Sequence, residues 1–141
     1  VVNRMIELAE VKKGDVVYDL GSGDGRIVIT AAKKGAKAVG FDVDSQRVNQ
    51  SRENIRKANV EDRAEIRQQD ILTVDLSPAS VVTLYLLPSV NLQLKPNLLK
   101  QLKPGSRIVS HAFDMGGWKP TKTEQVEGRT IYLWVVPAAA K

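Results

Sequence analysis

Three glycines and two carboxylates fall within residues 16–26, VVYDLGSGDGR, and this is where the chain concentrates groups able to do chemistry. Val16, Val17, Tyr18 and Leu20 have the composition of a buried strand. Asp19, at its end, sends a charge into whatever crevice the following turn opens. Gly21, Gly23 and Gly25 let the main chain pass close to a ligand and take positive φ where needed. A strand-to-helix turn with no ligand is the plain alternative, yet such a turn seldom needs three glycines.

Spacing narrows the ligand. The dinucleotide fingerprint G-x-G-x-x-G seats a pyrophosphate on a helix N-terminus. Here the third glycine comes one residue early, and Arg26 stands where a glycine or alanine belongs. Asp19 and Asp24 would face a pyrophosphate with like charge at short range, whereas they suit a ligand carrying an ammonium and a sulfonium. Seventeen residues after Gly25 comes Asp42, near the interval of about 20 at which an acid grips ribose hydroxyls in sheets of this kind. Asp44 and Ser45 read as the cap of the next helix, which leaves Asp42 as the ligand candidate.

The elements that must hold these groups follow from periodicity. Residues 1–11 place Val2, Met5, Ile6 and Ala9 on one helical face. Strands are expected at 15–20, 37–43, 64–69, 81–87 and 107–113, and a final hairpin at 121–126 and 130–136 turns on Glu127-Gly128. Helices are expected at 26–34, closed by Gly35, and at 45–58 with Val48, Ser51, Ile55 and Ala58 inward. Pro96 reads as the first residue of a further helix through Leu98, Leu99 and Leu102. The connection at 71–79 is too short for a full crossover helix, so a loop or a single turn is expected there. The result is an α/β fold: a doubly wound, mostly parallel, seven-stranded Rossmann-like sheet with helices on both faces and an antiparallel C-terminal hairpin. Asp19, the glycines, Asp42, Asp70 and the end of the fourth strand then meet in one crevice, where Tyr85 lines the pocket.

His111 and Asp114 are candidate bases, but a lone histidine in an apolar strand is more often a satisfied core or rim residue. Trp118 and Trp134 read as packing. Arg47, Arg52, Arg56 and Lys57 read as a solvated helix face, since no aromatic residue interleaves them for base stacking.

The 141 residues allow one domain without room for a second, and 43% hydrophobic with 26% charged residues is ordinary for a globular protein. No run is long enough to span a bilayer and no secretory pattern opens the chain, so a soluble, cytoplasmic protein is expected, with a monomer taken by default. The chain opens at Val1 in mid-helix, so an upstream segment is expected to be missing. Without cysteine, thiolate metal sites and thiol nucleophiles are excluded, and one histidine excludes a multi-histidine site. The net charge of +5 favours an anionic partner only weakly.

The loop DLGSGDG with Asp42 and Asp70 resembles the S-adenosylmethionine site of class I methyltransferases. A narrower resemblance covers Val2 to Val11, VVYDLGSGDGRIVITAAKKGAKAVGFDVD, SVVTLYLLPSVNLQLKPNLLKQLKPGSRIVSH and TIYLWVV. These stretches are similar to small prokaryotic broad-specificity protein-lysine methyltransferases and to related mitochondrial enzymes. The resemblance implies S-adenosyl-L-methionine as cofactor and protein lysine side chains as acceptor. It also implies a cofactor set of Asp19, Gly21, Ser22, Gly23, Asp42, Val43, Asp70, Ile71 and Leu84, with residues 83–86 facing the methyl group. A lysine acceptor must react as the neutral amine, which a desolvated pocket near Tyr85 favours; Tyr85 then orients the amine, or the proton leaves through water. RNA or a small molecule is the competing acceptor. The chain has Leu86-Leu87-Pro88-Ser89 where enzymes methylating amides and exocyclic amines carry Asn or Asp and Pro-Pro-aromatic, which disfavours those acceptors. A non-catalytic module binding S-adenosylmethionine is the third reading.

Overall fold

The structure is a computed structural model and describes residues 2–85, 88–111 and 118–136. Helix α1 (Val2–Leu8) leads into β1 (Val16–Leu20), α2 (Arg26–Lys33), β2 (Lys37–Asp42), α3 (Ser45–Lys57) and β3 (Ala64–Gln68). A single 3-10 turn (Ile71–Thr73) precedes β4 (Val81–Leu84), α4 (Pro88–Gln101), β5 (Arg107–His111), β6 (Lys122–Val126) and β7 (Arg129–Val135). One seven-stranded sheet forms in the order β3-β2-β1-β4-β5-β7-β6. The first five strands are parallel, and β7 enters antiparallel beside β5 with β6 outside it. This is the expected sheet, and its order reverses between β1 and β4, the place where such sheets bind ligands.

Alternation along each strand builds two apolar layers. On one face Val17, Ala38, Val81 and Val109 pack under α1, α2 and α3. On the other, Leu20, Phe41, Leu84, Ile108 and Trp134 pack against Leu94, Leu98 and Leu102 from α4 and its C-terminal turn. Trp134 is fully buried, its Nε1 donates to the Trp118 carbonyl at 2.8 Å, and the two rings lie 6.0 Å apart, so both tryptophans are packing residues as expected. Among the described residues no helix is long and apolar enough to cross a membrane.

Most boundaries differ from the sequence expectation by a residue or so, and two differ by more. Strand β4 stops at Leu84, and Leu86 and Leu87 lie outside the described residues. Helix α4 opens at Pro88, with Pro96 in its interior. Either proline is acceptable at a helix start, where no N–H is needed. The interior one is tolerated because Pro96 and Leu92, whose carbonyl loses its partner, both face solvent. Strand β5 is described to His111; Phe113 and the candidate base Asp114 lie outside the described residues.

Ahead of β1, Asp15 ties three segments together. Its Oδ1 accepts from Arg107 Nη2 at 2.6 Å and from Ser80 Oγ at 2.8 Å, and its Oδ2 accepts from the Lys12 N–H at 3.0 Å. Arg107 Nη1 also donates to the Ala9 carbonyl at 2.9 Å, which closes α1 onto the base of β5. The chain's one well-buried ion pair among the described residues thus sits at the end of β1 opposite the glycine turn.

Candidate active site

The turn after β1 is shaped by three glycines at positive φ: Gly21 at 82°, Gly23 at 56° and Gly25 at 86°. Gly25 caps α2 in a left-handed conformation that side-chain-bearing residues adopt only at a cost. It also lies beneath α3: a Cβ there would come within 3.0 Å of Ser51 Cβ. Ser51 is the small residue that permits this approach. Asn54 Nδ2 then fastens the turn by donating to the Asp24 carbonyl at 2.9 Å.

A second close approach went unread in the sequence. Gly40 in β2 sits beside Asp19, and a Cβ there would meet Ser22 Cβ at 2.6 Å, Ile66 Cδ1 at 2.8 Å and Val28 Cγ2 at 3.0 Å. The signal was available, because a glycine inside an apolar strand marks a place where another chain segment comes close. Gly40→Ala is expected to lose about 1 to 3 kcal/mol of stability by overpacking and to weaken cofactor affinity by pushing Ser22 outward. Urea unfolding and calorimetry would check it, and unchanged affinity would show that Ser22 is free to move.

The turn borders a cavity of about 460 Å³, lined by Asp19, Gly21, Ser22, Gly23 and Tyr85, with Arg26 and Arg47 among its other walls. Asp19 is 1% exposed; its Oδ1 accepts from Thr83 Oγ1 at 2.9 Å, while its Oδ2 has no hydrogen-bond partner among the described residues. Burial pushes its carboxyl up to about 7, against the Thr83 hydrogen bond, and the charges of Asp42 and Asp24 add to the rise. Ser22 Oγ is likewise buried and unpartnered among the described residues. A buried acid with one satisfied oxygen and one open oxygen is costly unless a donor, preferably a cation, completes it.

The other acids differ. Asp24 is held below the usual carboxylate range by the hydrogen bond from Arg26, with which it pairs at 2.8 Å. Asp42, half-buried, accepts from the Gly23 N–H at 3.1 Å and the Asp44 N–H at 3.0 Å, so it braces the turn and the start of α3. Asp44 caps α3 as expected.

Of the expected cofactor residues, the cavity brings together Asp19, Gly21, Ser22 and Gly23, and Tyr85 shares its wall. Asp42, Val43, Asp70, Ile71 and Leu84 lie outside its lining. Val43 is exposed at the end of β2, and Asp70 caps the 3-10 turn through the Leu72 N–H at 3.0 Å. Ile71 packs half-buried on the second apolar layer, and Leu84 is wholly buried within it. Arg47 and Gln50 were missed as wall residues, since helical periodicity alone marks α3 as a solvated face.

A parallel sheet reversing at β1 and β4, a three-glycine turn there and a buried acid with an open oxygen describe a cofactor site, and residues 19–122 match the family model of the ANTKMT methyltransferase domain. The chain belongs to the ANTKMT methyltransferase family. Among its relatives, the protein-lysine N-methyltransferase of Saccharolobus islandicus is 49% identical over 96% of this chain and 88% of its own length. The mouse adenine nucleotide translocase lysine N-methyltransferase is 32% identical over 84% of this chain and 52% of its own length, so the chain spans about half of that relative. A crystal structure described as an RNA methyltransferase from Salinibacter ruber with S-adenosyl-L-homocysteine is 54% identical, covers 96% of this chain and 90% of its own, and superposes with a TM-score of 0.94. This ANTKMT-type chain is an S-adenosylmethionine-dependent methyltransferase. Its residues fit that cofactor: Asp19 Oδ2 is the open acceptor an ammonium would complete, and Gly21 and Gly23 leave the main chain bare beside it.

Proposed function

We propose that this methyltransferase acts on lysine side chains of proteins. The observation that carries the reading is the 49% identity to the S. islandicus protein-lysine N-methyltransferase, which extends over nearly the whole of both chains. Charge supports it. Asp19, Asp24, Asp42, Asp44 and Asp70 gather at the C-terminal edge of the sheet, while Arg26 and Arg47 on the cavity wall pair with Asp24 and Asp44. Such a mouth attracts an ammonium and repels a phosphate backbone.

Bound S-adenosylmethionine supplies an electrophilic methyl group on a good leaving group. The protein's part is therefore to hold and align rather than to form a covalent intermediate. Asp19 and the bare turn fix one end of the site. Tyr85 faces the cavity from the end of β4 and orients the acceptor amine. Approach and reaction ask opposite things of the crevice. The carboxylates draw in an ammonium, but the nucleophile is the free amine, so the proton must leave once the group lies beside Tyr85 and Ile27, where loss of water favours the uncharged form.

RNA is the second reading, favoured by the description of the S. ruber structure and by the net charge of +5. One experiment separates the two: incubation with radiolabelled S-adenosylmethionine and a cell extract, followed by protease or RNase. Label that survives RNase, disappears with protease and maps to lysine is the expected result. RNase-sensitive label would overturn it.

A further inference from the structure

Tyr85 follows the last residue of β4, is 42% exposed, and has none of the strand pairing that fixes its predecessors. A tyrosine so placed would sample several rotamers, which is poor for a group that must align a nucleophile. One contact removes that freedom. In the register of β4 and β5, Leu84 lies beside Ser110, so Tyr85 comes beside His111, and the two rings stack with centroids 3.8 Å apart and planes 6° from parallel.

We propose that His111 is a positioning residue: its buried ring is the platform that holds Tyr85 against the cavity, and it acts through that ring and not on the acceptor's proton. This rests on the reading that Tyr85 faces the acceptor. His111 itself is 6% exposed and is not part of the cavity lining. Its Nε2 lies 3.4 Å from Arg129 Nη1 on β7. A guanidinium can only donate, so this contact is a hydrogen bond only in the neutral tautomer that keeps the lone pair on Nε2 and the proton on Nδ1. Burial first, and the Arg129 charge second, hold the imidazole below its usual pKa, in agreement with a neutral ring. The nitrogen able to take a proton is thus turned to an arginine and away from the reaction, while the flat face is turned to Tyr85. A phenyl ring would supply the same face.

Two measurements test the platform. In the unloaded protein, NMR should show the His111 ring protons shifted upfield by the tyrosine ring current, and Tyr85→Leu, an exposed substitution, should return them to ordinary positions. Ordinary shifts in the unsubstituted protein would show that the stack does not persist in solution, and the proposal would fail. In the extract-labelling assay, His111→Ala should lower the initial labelling rate about tenfold, and calorimetry should find its affinity for S-adenosylhomocysteine within about twofold of the parent, while His111→Phe should stay within about twofold of the parent rate. A phenylalanine variant as slow as the alanine one would assign the chemistry to an imidazole nitrogen, and an alanine variant as fast as the parent would remove any role. If the label proves to lie in RNA, the lysine reading falls, yet the ring shifts and the contrast between the two variants still decide whether His111 positions Tyr85.

Discussion

Asp19→Asn is expected to make the protein more stable and much weaker at binding S-adenosylmethionine. The carboxyl is fully buried, and its pKa in the folded chain is about 7 instead of 3.8. A raised carboxyl pKa means that the folded state holds its proton longer than the unfolded state does. Stability is therefore undiminished below the ordinary carboxylate pKa and declines as pH rises toward 7; above that, the ionised group costs on the order of 4 kcal/mol. Asparagine keeps an oxygen to accept from Thr83 and has no charge to bury. The variant should unfold at a temperature several degrees higher at pH 8 and at nearly the same temperature at pH 4, when both are followed by circular dichroism. Binding should move the other way. An ammonium completes the ionised acid, and the loss of a charge-assisted hydrogen bond corresponds to about a 10- to 100-fold weaker affinity. The same linkage predicts that affinity of the parent protein falls as pH drops below about 7, because Asp19 must release its proton to bind. An asparagine variant that binds as well as the parent, or that shows the same pH dependence, would refute the assignment.

That acid was readable in the sequence because the signal is local: a strand, a carboxylate and three glycines within eleven residues admit few structures. The same is true of Asp44 as a cap and of the Glu127-Gly128 turn, where both residues take the positive φ that a two-residue hairpin needs. The fold was legible for a related reason, since strands buried on both faces and helices amphipathic on one leave a parallel sheet as the compact solution. What sequence left ambiguous was where two rules compete. Pro88 and Pro96 both fit a helix start, and only the packing of Leu94 against the sheet decides that α4 is already under way before Pro96. What it hid was long-range. Arg47 and Gln50 form part of the cavity wall only because Gly25 and Ser51 bring α3 close, and the meeting of His111 with Tyr85 depends on the register of β4 and β5.

Arg107 belongs to the hidden class too, 92 positions from its partner Asp15, and its replacement should produce the largest loss of stability. The side chains of Arg107 and Asp15 are 18% and 9% exposed, and removing one member of a buried pair leaves the other uncompensated. Arg107→Ala should therefore cost about 3 to 5 kcal/mol. Replacing both, as Asp15→Asn with Arg107→Met, should cost less than the single change, because no unpaired charge remains inside. The pH dependence is opposite to that of Asp19. Burial pushes Asp15 up, but hydrogen bonds from Ser80, the Lys12 N–H and Arg107 outweigh it and leave its pKa below the ordinary value. A lowered pKa contributes stability that is fully present above the unfolded-state pKa and is lost as pH falls through the folded one. The gap between parent and Arg107→Ala should accordingly be wide in urea unfolding at pH 7.5 and narrow once the acid is titrated. A gap that persists in strong acid would mean that Arg107 stabilises by packing and by its bonds to α1, not through Asp15. One carboxylate thus lies near each end of β1 under opposite rules: Asp15, just ahead of the strand, is completed by the fold and holds the sheet together, whereas Asp19 is left by the fold with one oxygen open.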